Sequence, residues 1–143
     1  MSTTAKVVDL RILERNPGYD RENNPRRLTV AELTPVELTW KSDGIHRSIR
    51  NLAGVIGRLL RDASGIAVVE APYNPSGNRA YIANADGSFR AQIPAQIGAE
   101  RVTFYDVVET KDAVAFLAAA PGRDVRIEVR QADGVVMQVA ESR

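Results

Sequence analysis

The sequence contains no cysteine, a single histidine and few aromatic residues. Without cysteine there are no disulfides, no thiolate nucleophile and no cysteine-ligated metal site. The one histidine, His46, cannot build a histidine-rich zinc site by itself. No window approaches the roughly 18 apolar residues of a membrane span, and the N-terminal residues carry no apolar stretch of signal-peptide length. We therefore predict a cytoplasmic protein that uses no metal, no cofactor and no membrane.

An excess of charge of one sign is also absent. Lysine and arginine together number 19 against 18 acidic residues, for a net charge of +1. Proteins that bind nucleic acid through bulk electrostatics normally show a clear basic excess, so the balance argues against that class. Only Lys6, Lys41 and Lys111 are lysines, and the other basic residues are arginines. This preference reflects either coding bias or a need for planar, bidentate contacts.

Residues 14–29 form the least apolar stretch of the chain, and we call them the polar arm. The segment contains two Asn-Pro pairs and one Pro-Gly pair, and Tyr19 is almost its only apolar side chain. Loops of this length without structure of their own are uncommon in compact domains and are often functional. The chain length predicts a single domain, residues 1–143, from which this arm extends. We expect Tyr19, Arg26 and Arg27 to contact a partner on which the arm becomes ordered.

Alternation of apolar and polar residues predicts several strands. Residues 7–13 have one wet face, residues 66–71 are a candidate for a buried strand, and residues 28–33 and 35–40 are two short candidates with Pro35 between them. Two hairpins are expected, one over residues 79–93 turning at Asp86-Gly87 and one over residues 125–140 turning at Asp133-Gly134. A further strand is expected over residues 101–109.

Two segments have the pattern of helices. In residues 45–63 the apolar residues recur at spacings of three and four, with Ser42 or Asp43 as the N-cap and Gly65 as the stop. Residues 111–120 form a short helix capped by Thr110 and ended by Pro121-Gly122. Together with the hairpins, these elements predict an α+β fold in which a long and a short helix pack on a mainly antiparallel sheet.

Four arginines form a stripe on the predicted long helix. Arg47, Arg50, Arg58 and Arg61 lie opposite its apolar face on the helical wheel. The stripe is either a solvated face or a contact surface for an acidic protein or a phosphate backbone. The helix lacks the aromatic residues on which single-stranded bases stack, so a protein partner is the preferred alternative. Gly54 and Gly57 indicate close approach of another backbone.

Catalytic constellations are weak. A triad on His46 would need a nearby serine, and neither Ser76 nor Ser88 lies in a G-x-S-x-G elbow. Asp106, Glu109 and Asp112 could pair as acid-base groups or hold a metal, but Asp112 is explained as a first-turn charge of the short helix.

The best ligand-binding candidate is the segment "YNPSGN". Its polar groups, on Tyr73, Asn74, Ser76 and Asn78, could bind an anion, although the spacing is not that of a phosphate loop. An ordinary loop between strands explains the same residues equally well.

Taken together, these features predict a non-enzymatic structural or adaptor subunit of a larger protein assembly, such as a phage-like or tail-like particle. It would bind a protein partner or further copies of itself. The alternative is a nucleic-acid-associated protein that uses the arginine stripe. A small enzyme or ligand-binding protein is the third possibility.

Overall fold

The structure is a computed structural model that describes residues 5–111 and 113–142. Within these residues the chain forms antiparallel strands that pair with their neighbours in sequence order. Sheet 1 contains β1 (Val8–Leu13), β2 (Glu37–Ser42) and β3 (Ile45–Arg50). Sheet 2 contains β4 (Val55–Leu59), β5 (Gly65–Glu70), β6 (Arg79–Asn84) and β7 (Phe89–Gln92). A small hairpin, β8 (Gln96–Ile97) and β9 (Glu100–Arg101), precedes sheet 3, which contains β10 (Thr103–Glu109), β11 (Ala113–Ala120), β12 (Arg123–Arg130) and β13 (Val136–Ser142).

Sheet 2 is the middle layer of three. Along β5, Ile66 and Val68 pack in a core shared with sheet 1, while Ala67 and Val69 pack in a second core shared with sheet 3. Every residue of this strand is buried. The apolar residues 66–69 therefore follow one another without alternation because both faces of the strand are covered, and the prediction of a buried strand is confirmed.

The two cores are built differently. Between sheets 2 and 3, the rings of Phe104 and Phe116 meet edge to face at 6.2 Å, an arrangement that aromatic quadrupoles favour. Between sheets 1 and 2 the largest side chain is Trp40, whose indole Nε1 donates a hydrogen bond to the carbonyl of Ala85 at 2.7 Å. That bond satisfies the polar atom of an otherwise buried ring.

The helix predicted over residues 45–63 is absent, and its residues form β3, a turn, β4 and the start of another turn. Asp43, predicted as a possible helix N-cap, forms with Gly44 the two-residue turn that joins β2 to β3. Its φ angles are 51° and 77°, which match a type I′ hairpin turn. Ser42 and Ile45 are directly paired across it.

The middle of the predicted helix is broken by a second turn. Asn51 Oδ1 accepts a hydrogen bond from the Ala53 amide at 2.8 Å, and the Asn51 carbonyl accepts one from Gly54 at 2.9 Å. The spacing of three and four between apolar residues thus arose from two strands with a turn between them. The close neighbour of Gly57 is a side chain and not the backbone that was expected, since a Cβ there would lie 2.6 Å from Leu38 Cδ1.

The second predicted helix is also wrong. Its residues, apart from Asp112, which lies outside the described part of the chain, belong to the turn before β11 and to β11 itself. This strand lies between β10 and β12, and Val114, Phe116 and Ala118 enter the core. Helix propensity of alanine is a weak preference, which pairing on both sides overrides. Pro121-Gly122 forms the turn to β12, because Ala120 pairs with Arg123.

The fold is therefore all-β rather than α+β. Residues 28–33, predicted as a strand, contain the one helical turn in the described residues, α1 (Val30–Leu33). Its start is a capping box, since Thr29 N donates to Glu32 Oε1 at 2.9 Å and Glu32 N donates to Thr29 Oγ1 at 3.2 Å. No helix in the described part of the chain has the length and apolar character of a membrane-spanning helix.

Both predicted hairpins are confirmed, as β6–β7 and β12–β13, and the strands predicted near residues 7–13 and 101–109 are β1 and β10. The meander divides the connections between two ends of the molecule. The turn end gathers Asp43-Gly44 and residues 61–64, 85–88 and 131–135, and there Ala85 N bonds the Ser64 carbonyl at 2.9 Å. The loop end gathers residues 14–36, 51–54 and 71–78, and there Ala71 N bonds the Gly54 carbonyl at 2.8 Å.

Candidate functional site

The segment from Ala71 to Asn78, which we call the Tyr73 loop, connects β5 to β6 at the loop end. Asn78 clamps it to sheet 3. Its amide nitrogen donates to the carbonyls of Ala71 at 3.1 Å and Phe104 at 2.7 Å, and its Oδ1 accepts from Phe104 N at 2.7 Å. Asn78 was predicted to bind a ligand, but its amide is used to hold the loop on β10.

Below the loop, Glu70 anchors the end of β5. The residue is only 8% exposed, and it accepts hydrogen bonds from Asn51 Nδ2 at 3.1 Å and Arg79 Nη2 at 3.2 Å. The Tyr81 hydroxyl donates a further bond to it. Burial raises the pKa of Tyr81, and the hydrogen bond to Glu70 and the charge of Glu70 raise it further. The carboxylate therefore ties the turn between β3 and β4 to the first residues of β6.

The backbone of the Tyr73 loop is strained. Ala71 and Tyr73 have φ angles of 51° and 67°, in the left-handed region that side chains disfavour, at a cost of about 1 kcal/mol each. Asn74 N bonds the Ala71 carbonyl at 3.0 Å, and Asn74 Oδ1 accepts from Ser76 N at 2.9 Å. Strain of this kind persists only where the surroundings fix the chain, and it is concentrated at functional sites.

Tyr73 is the side chain that this loop presents. Its ring stacks on Tyr105 with centroids 5.4 Å apart and planes inclined by 18°, yet the residue remains 53% exposed. Tyr105 in turn donates to Asp124 Oδ2 at 3.2 Å, and burial and this carboxylate raise the pKa of Tyr105. The result is an exposed aromatic ring that is held in one orientation.

A cleft of about 400 Å³ separates the Tyr73 loop from the segment around α1, and we call it the tyrosine cleft. Arg15 and Glu32 line one side of it and Tyr73 and Asn74 the other. Arg15 Nη2 donates to the carbonyl of Leu52 at 2.7 Å, and the Leu52 side chain is 65% exposed. An aromatic and a cationic side chain thus line one cleft.

The polar arm reaches the same end of the molecule as an ordered loop. The Tyr19 hydroxyl donates to Asn24 Oδ1 at 2.6 Å and accepts from Arg26 N at 2.8 Å. The Arg26 guanidinium lies 6.0 Å from the Tyr19 ring centroid. Hydrogen bonds from Thr29, with smaller contributions from the charges of Arg26 and Arg15, lower the pKa of Glu32. Arg26 therefore contributes to the electrostatics of the cleft, while Tyr19 organises the arm and Arg27 is exposed.

The arginine stripe does not exist as one surface. Arg47 lies on the face of β3 that packs toward sheet 2, whereas Arg50, three residues along the same strand, lies on the opposite face. Arg58 Nε donates to the Val107 carbonyl at 3.1 Å. Arg61 donates to the Lys111 carbonyl at the turn end.

The candidates for acid-base chemistry are not assembled into a site. The Ser88 hydroxyl donates to Asp86 Oδ1 at 2.6 Å rather than to His46, which lies on the exposed side of β3. Ser76 lies in the Tyr73 loop, while Asp106 accepts a bond from Val107 N at 2.8 Å on β10. Glu109 ends that strand, and Asp112 is outside the described residues.

Sequence reasoning missed Glu70, Tyr105 and Arg15. Glu70 left a signal, since it is the only charged residue in the run "IAVVEA", and a charge in a buried strand requires partners. The sequence gives no comparable signal for Tyr105 and Arg15, because their positions near Tyr73 depend on how the sheets and loops pack.

Comparison with known proteins connects the chain to a solved structure. No known protein family matches it, and no curated protein matches its sequence. A chain in the structure of Tne2 in complex with Tni2 superposes with a TM-score of 0.74 at 14% identity, over 96% of this chain and 99% of that chain. The likeness shows that the two chains share a fold over nearly their full lengths.

Proposed function

We propose that this protein acts by binding another protein at the loop end, as a non-enzymatic adaptor or subunit. The observation that carries the proposal is Tyr73, an exposed ring fixed on Tyr105 by a strained loop. Tyrosine gives a large contact area with little conformational entropy to lose, and preorganised loops bind with less ordering cost.

The surroundings of Tyr73 fit the anatomy of a binding surface. Ala53 and Pro72 line the tyrosine cleft together with the ring, and Arg15 and Arg26 supply positive charge at the margin. Aromatic residues and arginine are the residue types enriched at energetically dominant contacts. A partner that places an apolar side chain in the tyrosine cleft and a carboxylate toward Arg15 would complement it.

The fold comparison supports the same proposal. The structure that contains the matching chain holds Tne2 bound to Tni2, so a protein with this fold is present in a two-protein complex. An adaptor and a subunit of a phage-like or tail-like particle differ in stoichiometry. Light scattering on the purified complex would separate a one-to-one species from a large assembly.

The geometry gives less support to the two other functions considered. A nucleic-acid-associated role depended on four arginines in one stripe, and those residues lie on different surfaces. A ligand-binding role for the Tyr73 loop would rest on Tyr73, Asn74 and Ser76, because Asn78 uses its amide to hold the loop.

Site-specific photocross-linking in the source cells tests the proposal. A photoreactive aromatic amino acid replaces Tyr73 in one variant and Ile45, an equally exposed residue on β3, in the control. We expect a discrete cross-linked species from position 73 that excess unlabelled protein competes away, and none from position 45. No cross-link from position 73, or the same species from both positions, would contradict the proposal.

A further inference from the structure

The two lateral sides of the sandwich formed by sheets 2 and 3 are unlike. On one side the edge strands β4 and β10 are joined, since Arg58 Nε on β4 donates to the Val107 carbonyl on β10 at 3.1 Å. On the other side lie β7 and β13, each at the end of its sheet. The turn before β13 reaches across, where a Cβ on Gly134 would lie 2.3 Å from Ala91 Cβ on β7, and at the far end of β13 Glu100 of the β8–β9 hairpin pairs with Arg123 at 2.6 Å. The sandwich is closed on one side and open on the other.

In the middle of the edge strand β13 the usual protection is sparse, because it is limited to a bulge at Met137 and to Glu141, which pairs with the buried Val125 near the end of the strand. Natural edge strands carry lysine, proline or inward-pointing charge, because unpaired N–H and C=O groups otherwise pair with another chain. Residues Val136 to Ala140 carry no charge and no proline. By contrast, β1 contains Asp9 and Arg11, and the edge strand β3 contains Arg47.

The side chains of β13 are apolar and exposed. Val136 and Val139 pair with Val129 and Ile127, which are buried, so they share the inner face of sheet 3. They do so although three residues apart because a bulge displaces Met137 from the register. Val139 is 42% exposed and Met137 57% exposed. The inner face of sheet 3 thus continues past the covering sheet.

Charge selects what can pair with this edge. Arg130 is paired with Asp133 at 2.7 Å before the strand, and Arg123 lies 3.9 Å from Glu141 at its end. The stretch from Val136 to Ala140 between these ion pairs has no charged side chain that could pair with a charge on a partner strand. An uncharged strand suits this stretch best, and among the edge strands of the described residues the segment from Val136 to Ala140 of β13 has that character.

We infer that β13 pairs antiparallel with β13 of a second copy of this chain. A two-fold axis near Gln138 places Met137 opposite Val139 and Val136 opposite Ala140, with no like charges opposed. Such isologous contacts are the commonest in homo-oligomers. One added strand pair with its exposed side chains buries area at the low end for protein interfaces, so the dimer is weak and reversible. The surface is separate from the tyrosine cleft and does not depend on the proposed function.

Sedimentation equilibrium from low-micromolar to near-millimolar concentration tests the inference. We expect a monomer–dimer equilibrium for the natural sequence and a monomer at every concentration for Val139→Lys, which places a charge at the edge. Ile45→Lys, at an equally exposed apolar residue on the charged edge strand β3, should dimerise like the natural protein.

Hydrogen exchange on the natural sequence gives a readout that needs no folded variant. Protection of the outward-facing amides of β13 should rise with protein concentration, while amides of β3 remain unchanged. A monomer throughout the range with concentration-independent exchange in β13 would overturn the inference. So would a dimer that Val139→Lys, folded by circular dichroism, leaves intact.

Discussion

The connections between strands are stabilised differently at the turn end and at the loop end. At the turn end, short connections reverse the chain by local chemistry, as Asp43-Gly44 does between β2 and β3. At the loop end, the Tyr73 loop is held by residues distant in sequence, through Asn78 on Phe104 and Glu70 on Asn51. Local chemistry fixes a turn and leaves it small, whereas distant clamps allow a loop to hold a strained conformation and display a side chain.

The largest effect is expected from removing the carboxylate that supports the loop end. Glu70→Ala leaves Arg79, Asn51 and the Tyr81 hydroxyl without their acceptor, and we expect a loss of about 3 kcal/mol in the free energy of unfolding. Glu100→Ala, which breaks a solvent-exposed pair with Arg123, should cost less than about 1 kcal/mol. Urea denaturation measures both, and equal losses would refute the role given to Glu70.

The second largest loss in the free energy of unfolding is expected from removing the Asn78 side chain, which holds the Tyr73 loop on β10. Asn78→Ala removes bonds to both backbone groups of Phe104 and to the Ala71 carbonyl, at an expected cost of about 2–3 kcal/mol. Asn74→Ala, which removes one bond within the loop, should cost about 1 kcal/mol or less. Hydrogen exchange should show the loop amides opening in the first variant and not in the second. Retained protection in Asn78→Ala would indicate that the loop does not depend on its clamp.

Two glycines at the turn end sharpen the contrast between packing and backbone strain. Both have positive φ, but a Cβ on Gly134 would lie 2.3 Å from Ala91 Cβ, while Gly44 has no neighbour within 4 Å. Gly44→Ala should cost about 1 kcal/mol from backbone strain alone, and Gly134→Ala about 2 kcal/mol because a clash is added. Thermal unfolding of the two variants compares them, and equal costs would mean that the contact at Ala91 relaxes freely.

Alkaline pH should weaken the loop end slightly. The pKa of Tyr81 is raised in the folded protein above its ordinary value of 10.0, so the unfolded chain loses this proton first as pH rises. Stability is therefore fully present below about pH 10 and declines above it, by less than about 1 kcal/mol at half a unit higher. Urea midpoints at neutral and alkaline pH should show a smaller decline in Tyr81→Phe than in the natural protein. An unchanged decline would exclude Tyr81 as its source.

Strands and hairpins were predicted from the sequence more accurately than helices. The strand β1 and the Asp-Gly hairpins were predicted from local patterns, and the structure contains them, although Val8 and Ile12, expected on the dry face of β1, are exposed. The prediction of a helix over residues 45–63 was wrong because Asp43 before an apolar pattern resembles a helix N-cap. The same dipeptide, Asp-Gly, was correctly interpreted as a turn in the other hairpins. The alanines of β11 failed because burial between two strands outweighs intrinsic propensity.

The candidate site was predicted only in part. The Tyr73 loop and the polar arm were singled out by their composition, and both lie at the loop end. Their relation to Tyr105 depends on sheet stacking, which no short-range pattern encodes. The clamp role of Asn78 has the same origin, since its partner Phe104 is distant in the chain.

The central claim is that Tyr73 anchors a protein partner. The most direct test measures the affinity of the partner captured by cross-linking for Tyr73→Ala and Ile45→Ala, by titration calorimetry on variants of equal stability. We predict that Tyr73→Ala weakens binding by about tenfold or more, as loss of an anchor side chain does, while Ile45→Ala binds as the natural protein does. Equal affinity of the two variants would contradict the account.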